Sequence, residues 1–353
     1  MIETPNTKTP AELEQEFYSK PFNISYSGLN KLLYSPKMFY NHYILKQRED
    51  RTDSHLIDGK VIHGLLLNDG SFDENFILLP STLPTGNSRT VVDTLHKLLL
   101  NQKLFDEKEG IQLLNHYTIE ILEILKQINL HQSLTDDKKT PFKTGDEKRL
   151  EKIITEETIS YFEFLKSKGN RDLIDSETLQ RCNEAVTLLK ADTKVCELLG
   201  LYRSEMENID MFNEIELSSD AVGIDNIGLK GIADSIQINH DKKIIYINDL
   251  KTTGKTITDF PETVKFYNYS IQAAIYTRLV KEVYKHIITP EWTIVFNFIV
   301  IDKYNQVYCF KVSNLTLEMW DFELSDRLIE MYWHYRNNNY SLPYNFATSQ
   351  VIL

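Results

Sequence analysis

The sequence predicts an α/β protein with a mixed central sheet flanked by helices and a large helical insertion. Three observations carry this. From about residue 85 to 200, apolar residues recur at helical spacings, as at Leu95, Leu98 and Leu99 and at Ile119, Ile121, Leu122 and Leu125. After Gly200 the pattern changes to short apolar runs separated by turns, which reads as strands. A further helix, two more strands and a C-terminal helix then follow, which places both element types on one apolar core.

Taken in order, residues 1–22 are polar and dotted with proline, and predict a flexible N-terminal arm ahead of a single domain over 23–353. Ser25 or Ser27 can cap a helix through Leu29, Leu32 and Leu33. Ser35 can cap the next, with Pro36 at its first position. That second helix carries Phe39, Tyr40 and Tyr43, an aromatic cluster of the kind that usually packs. Asp58-Gly59 opens a helix through Val61, Ile62, Leu65, Leu66 and Leu67, with His63 among them. Asp136-Asp137-Lys138-Lys139 and the segment around Gly145 read as loops, and a helix runs from about Ser176 to Leu199. The strands fall within about 210–252: Met211 to Leu217, Gly228 to Ile238, the turn Asn239-His240-Asp241, and Ile244 to Leu250. The run Ile244 to Ile247 lacks polar alternation, which predicts a central strand buried on both faces. A helix from Tyr267 to Val283, strands from Trp292 to Ile301 and from Gln306 to Val312, and a helix ending near Arg336 complete the chain.

Composition narrows the class. With 353 residues, 42% hydrophobic and 25% charged, the chain reads as an ordinary globular protein. No run of about 18 apolar residues exists, and the first residues lack the basic and apolar parts of a signal peptide, so a cytoplasmic protein without a membrane partner is expected. Cys182, Cys196 and Cys309 are odd in number and lack CxxC spacing. They argue against a disulfide framework, a zinc ribbon or a four-cysteine iron-sulfur cluster, and read as buried thiols. The 39 basic against 51 acidic residues give a formal charge of -12, which excludes a generally basic surface for nucleic acid. A local basic channel remains open, because charge distribution rather than net charge governs steering.

The chemistry-bearing residues lie at strand ends. Asp249 and Lys251 point the same way on one strand, roughly 6.6 Å apart at ~3.3 Å per residue, and Asp234 ends the neighbouring strand. Glu214 and Glu216 share a face of a third. Oxygen donors of this kind suit Mg²⁺ or Mn²⁺, beside which a water could attack phosphorus while Lys251 stabilises or orients it. Spacing alone leaves two readings open, a metal site or solvated strand ends. A phosphate-binding loop ending in Gly254-Lys255-Thr256 is a third candidate. It fails because the position of its first glycine is Asp249, and because no clear helix is expected between Thr256 and Pro261.

Asp234, then Asp249-x-Lys251, after an upstream glutamate and ahead of Gln272-Ala273-Ala274-Ile275-Tyr276, resembles the PD-(D/E)xK nuclease superfamily, and more narrowly its exodeoxyribonuclease VIII-like and RecB-like branch. Ser27-Gly28-Leu29 through Ser35-Pro36, Gly59 to Leu67 with His63, and Leu173-Ile174-Asp175 through Leu199 are similar to the family's flanking segments. The resemblance thus spreads over most of residues 23–283. It implies a restriction-endonuclease-like core, with Asp234 and Asp249 as metal ligands, Lys251 as catalytic lysine and His63 as an additional metal ligand. Glu214 is favoured over Glu216 as the upstream carboxylate, because Phe212-Asn213-Glu214 better resembles the family's approach to it. Gln272 and Tyr276, four apart on a helix, would contact DNA or position Lys251. The implied activity is a Mg²⁺- or Mn²⁺-dependent exonuclease on double-stranded DNA ends in phage-type recombination or repair, without an iron-sulfur cluster. A single-strand annealing protein and a ring-like homo-oligomer are its implied partners. A single-strand or flap endonuclease of the same fold, and a non-catalytic DNA-binding scaffold, are the alternatives.

Overall fold

The computed structural model of the chain describes residues 8–47, 54–68, 72–80, 82–101, 114–135, 144–169, 171–202, 208–225 and 227–351. These divide into two compact units, one formed by residues 1–72 and 177–353 and the other by residues 73–176. The helical insertion is therefore shorter than the expected 85–200, because the helices Ser176–Ala191 and Thr193–Leu199 pack with the sheet.

The described strands are β1 (Phe22–Ile24), β2 (Phe76–Leu78), β3 (Asp172–Ile174), β4 (Ile209–Ile224), β5 (Ile227–Asn239), β6 (Ile244–Thr253), β7 (Thr293–Asp302) and β8 (Val307–Lys311). The first unit holds a mixed sheet in the order β1-β5-β6-β7-β8, with β4 on the free edge of β5. Its strands are rich in Ile, Val and Phe, and Ile236, Ile245, Ile247, Phe296 and Val300 are fully sealed from solvent. Each such side chain contributes about 1.5–3 kcal/mol by burial, which fixes β6 and β7 as the rigid centre. Antiparallel β5–β6 and parallel β6–β7 pairing make the sheet mixed, and helices flank it, as the sequence predicts.

One edge of β5 positions everything that follows. β4 accompanies β5 on one side over most of its length, while the other side is shared. β1 pairs with residues 227–229 there, and β6 with residues 235–239. The ladder between β5 and β6 stops at Ser235 opposite Asn248, after which β6 continues to Thr253 paired only with β7. The strands part where Asp234 and Asp249 stand.

Local chemistry sets the helix ends. Ser25 caps Tyr26–Tyr34, and Ser35 caps Pro36–Phe39, whose chain continues as a π-turn over Tyr40–Ile44. Asp192 accepts from the amides of Lys194 and Val195 at 2.9 Å each, and Gly200, at φ 60°, ends that helix in the left-handed region. Four expectations differ from this structure. Residues Pro10–Tyr18 form a helix with a Thr9–Glu12 capping box and a buried Leu13, not a loose arm, because burial of that leucine and a hydrogen bond from the Tyr18 hydroxyl to Asn338 dock it. The helix expected to open at Asp58-Gly59 begins at Ser54. Gly145 is the first residue of Gly145–Ile153, capped by Thr144, rather than part of a loop, while Asp136 to Lys139 lie outside the described residues. Finally, a turn at Ile257–Asp259 and a helix at Phe260–Phe266 do follow Thr256.

The second unit has its own core, with Val91, Leu95, Leu99, Ile121, Leu125 and Phe162 at its centre and the parallel pair β2–β3 beside its helices. Phe39 is fully buried, as a packing cluster requires. The cysteines are free thiols, but only Cys182 is buried, while Cys196 and Cys309 are half-buried. No helix of the described residues is long and apolar enough to cross a membrane.

Candidate active site

Where β5 and β6 part, the backbone of Leu250 has no ladder partner on the β5 side. Buried amides and carbonyls need replacements, and two side chains supply them. Asp234 Oδ2 accepts from the Leu250 amide at 2.7 Å, and His63 Nε2 lies 3.0 Å from the Leu250 carbonyl oxygen. Since a carbonyl only accepts, Nε2 is the donor, and in the neutral ring the lone pair is left on Nδ1. That nitrogen lies 3.7 Å from Asp234 Oδ1. Two electron-pair donors thus face each other across a gap.

Asp249 and Lys251 lie on the same face of β6, next to the split. The Asp249 side chain is completely buried, and among the described residues its carboxylate has Lys251 as its one polar partner, with Nζ 2.6 Å from Oδ2 in an ion pair. Burial outweighs the attraction of Lys251 and, with the nearby Asp234, raises the Asp249 pKa from 3.8 to about 6. Burial pulls the Lys251 pKa down, but the Asp249 and Asp234 carboxylates more than offset it, and the ammonium stays charged well above neutral pH. The Lys251 ammonium also lies 4.7 Å from the centre of the Tyr269 ring. Tyr269 is one of the tyrosines whose hydroxyl is held protonated by burial. Tyr26 is another, and its ring lies 6.2 Å from that of Tyr269.

Gln272 and Tyr276 share a face of the helix Tyr269–Val283 and are both buried, with Gln272 Nε2 donating to the Tyr276 hydroxyl at 3.1 Å. The Tyr276 ring lies against Gly231, where an added Cβ would stand 2.5 Å from Cε1, so β5 admits the ring only because that residue is glycine. Direct contact with DNA does not suit two residues so enclosed, whereas positioning does.

Glu214 and Glu216 are both exposed on β4. Glu214 falls opposite Asp234, between the pairs Asn213–Ser235 and Ile215–Ala233, and Glu216 falls opposite Ile232. Glu214 also adopts φ 49°, an uncommon left-handed conformation for a glutamate inside a strand, and its own pairing to Asp234 is missing. Among the described residues, no three histidine, cysteine, aspartate or glutamate side chains converge into a ready-made cation cage. The structure thus gathers His63, Asp234, Asp249 and Lys251 at the split, with Gln272 and Tyr276 packed nearby, and places Glu214, exposed, opposite Asp234 on β4, with Glu216 two residues further along.

Three participants were not singled out from the sequence. Tyr269 precedes Gln272 and Tyr276 by three and seven residues, a helical stripe that could have exposed it. Tyr26 carries no such signal, and the Leu250 backbone groups cannot carry one.

No family model matches the sequence, and no curated protein matches it. Among solved structures, the crystal structure of a candidate exonuclease from Eubacterium rectale is similar to the chain, at 12% identity and a TM-score of 0.43, covering 94% of this chain and 86% of its own. Similarity that low leaves the chemistry to be argued from this chain's own residues.

Proposed function

We propose that the chain is a metal-dependent DNA nuclease that hydrolyses phosphodiester bonds, acting as an exonuclease on double-stranded ends. The observation that supports this most is the fully buried Asp249 carboxylate, whose one polar partner among the described residues is Lys251. A buried ionised carboxylate with acceptor positions left unfilled is costly, and a bound divalent cation would lower that cost. The donor set fits Mg²⁺ or Mn²⁺: Asp249 and Asp234 supply oxygens, and His63 Nδ1 faces Asp234 Oδ1 at 3.7 Å. These hard cations keep several waters and need only one or two carboxylates, so a complete protein cage is not required. Glu214 is the preferred upstream carboxylate, on its register opposite Asp234 and its unusual backbone.

When bound, the cation would neutralise phosphate oxygens and lower the pKa of a water. The chain's own residues do the rest. Asp234 and Asp249 would hold the cation at the strand split, and the Leu250 backbone stays in place through Asp234 and His63. Because Lys251 keeps its proton, it acts as a cation that donates to a phosphoryl oxygen as charge builds, rather than as a base. Tyr269 beneath the ammonium, and Asp249 beside it, limit where Nζ can go.

The test is incubation of the purified protein with end-labelled linear and closed circular DNA, with Mg²⁺, with EDTA, and as Lys251→Ala. Degradation of linear DNA that needs Mg²⁺ and Lys251 is expected, with circles untouched. Nicking of circles would favour a flap or single-strand endonuclease. Metal-independent binding that survives Asp249→Ala without cleavage would identify a scaffold.

A further inference from the structure

The helix Phe260–Phe266 ends three residues before Tyr269, the ring under the Lys251 ammonium, and Phe266 and Tyr267 at this end show two aromatic rings to solvent. Phe266 is 73% exposed and Tyr267 47%. Single exposed apolar residues need no explanation, but this turn is clamped from behind. The Tyr267 carbonyl accepts from the Tyr26 hydroxyl and, at 3.3 Å, from Asn30 Nδ2, and Asn268 Nδ2 donates to Asn30 Oδ1 at 2.7 Å. Asn268 takes φ 55°, a left-handed conformation that asparagine tolerates better than most residues, and the next helix starts at once. The rings are therefore presented by a fixed backbone.

They also connect to the site. Tyr267 stacks on Tyr269 with centroids 5.6 Å apart and planes 25° from parallel, and Tyr269 lies under the Lys251 ammonium at 4.7 Å. Phe266 meets Tyr267 edge-on at 4.9 Å, and Lys255 Nζ is 5.7 Å from the Phe266 ring centre. Lys265 stands at the same helix end. The acidic groups nearby are engaged, Glu262 by Lys265 at 3.0 Å and Asp259 by the Thr256 hydroxyl at 2.9 Å. Flat aromatic surface interleaved with lysines is what a single nucleic-acid strand needs, since bases stack on the rings while ammonium groups meet the phosphates.

We propose that Phe266 and Tyr267 form a stacking platform for an unpaired nucleobase of the DNA strand flanking the scissile phosphodiester, with Lys255 meeting that strand's phosphates. The inference rests on the nuclease reading, which it deepens by naming an unpaired strand end as the ligand. One ring, Tyr269, separates the platform from Lys251, so the stacked nucleotide lies close to the phosphate that reacts.

The experiment measures binding of the full-length protein to a short fluorescein-labelled single-stranded oligonucleotide by anisotropy, in EDTA so that nothing is cut. Phe266→Ala and Tyr267→Ala should each weaken binding by roughly tenfold, with melting temperatures unchanged because both rings are exposed. Phe266→Trp should keep the affinity. Tyr304→Ala removes a ring that is 61% exposed and also lies near a lysine, and should change nothing. Wild-type affinity in both alanine variants, while the wild type still degrades linear DNA, overturns the platform and leaves the nuclease reading standing. A wild type that neither binds nor cuts DNA overturns both. A change of sedimentation in the variants without a change of affinity assigns the patch to a contact between copies of this chain, and also overturns the proposal.

Discussion

Asn248 and Asp249 are neighbours on β6, both are buried, and they lead opposite lives. Asn248 faces the helix Thr193–Leu199, where its Nδ2 donates to the Leu198 carbonyl at 2.8 Å and its Oδ1 accepts from Asn297 Nδ2 at 2.9 Å. Gln237 on β5 behaves alike, donating to the Glu197 carbonyl at 2.9 Å. Asp249 faces the other side, and among the described residues its one polar partner is Lys251. On the first face the amides of Asn248 and Gln237 are satisfied, as buried polar groups in a structural role usually are. A buried carboxylate left with a single donor, where two strands part, suits something that arrives later. The contrast separates groups that hold the sheet together from groups reserved for chemistry.

The sharpest way to break that comparison is to delete the reserved groups. Asp249→Ala and Lys251→Ala should each lower cleavage of linear DNA by on the order of 10²–10³-fold, with cooperative unfolding retained. If either leaves cleavage intact, the second face is structural after all. On the satisfied face, Asn248→Leu strands the Leu198 carbonyl and the Asn297 amide, and should cost about 2–4 kcal/mol in urea unfolding. Cleavage per folded molecule should persist. A loss of cleavage larger than the loss of folded protein would show that the two faces are not independent.

The pH dependence sharpens the same point. The Asp249 pKa is raised on folding, from 3.8 to about 6, so the folded state favours the protonated carboxyl. Below about pH 3 both states hold the proton and no penalty exists. As pH rises from about 3 to 7 the unfolded chain ionises first, and stability falls by up to about 3 kcal/mol. In EDTA, urea unfolding of the wild type should show this decline, and Asp249→Asn should lack it. A variant with the same slope would place the titration on another group. The smallest effect is expected at Glu216. Glu216→Ala should change stability by less than about 0.5 kcal/mol and cleavage by less than about twofold. A Glu216→Ala protein without turnover, beside an active Glu214→Ala, would move the upstream carboxylate two residues along β4.

Much of this was legible in the sequence. The run Ile244 to Ile247 lacks polar alternation because both faces of β6 are covered, and it falls within that strand, while the apolar run expected from Trp292 to Ile301 becomes β7 from Thr293. Serine before proline at 35–36 marks a helix start because both residues satisfy or remove orphan amides, and a helix starts there. The N-terminal helix was missed because its stability comes largely from docking, through Leu13 and Tyr18, and no local pattern reveals a distant partner. The glutamates were harder still. Alternation places Glu214 and Glu216 on one face, but a left-handed residue breaks alternation, and backbone conformation at a single glutamate has no composition signal.

By itself, the sequence determined the type and order of the long strands after Gly200, the helix that begins near Tyr269, and the placing of Asp249 and Lys251 on one face. Those follow from short-range rules, the period of apolar residues and the alternation of a strand. Only the tertiary structure decided that β5 and β6 separate at Asp234, that Leu250 is held there by Asp234 and His63, and that Asp249 is sealed with Lys251 as its one polar partner among the described residues. Those depend on which strand ends find a neighbour across the sheet, a long-range outcome that no local run of residues encodes.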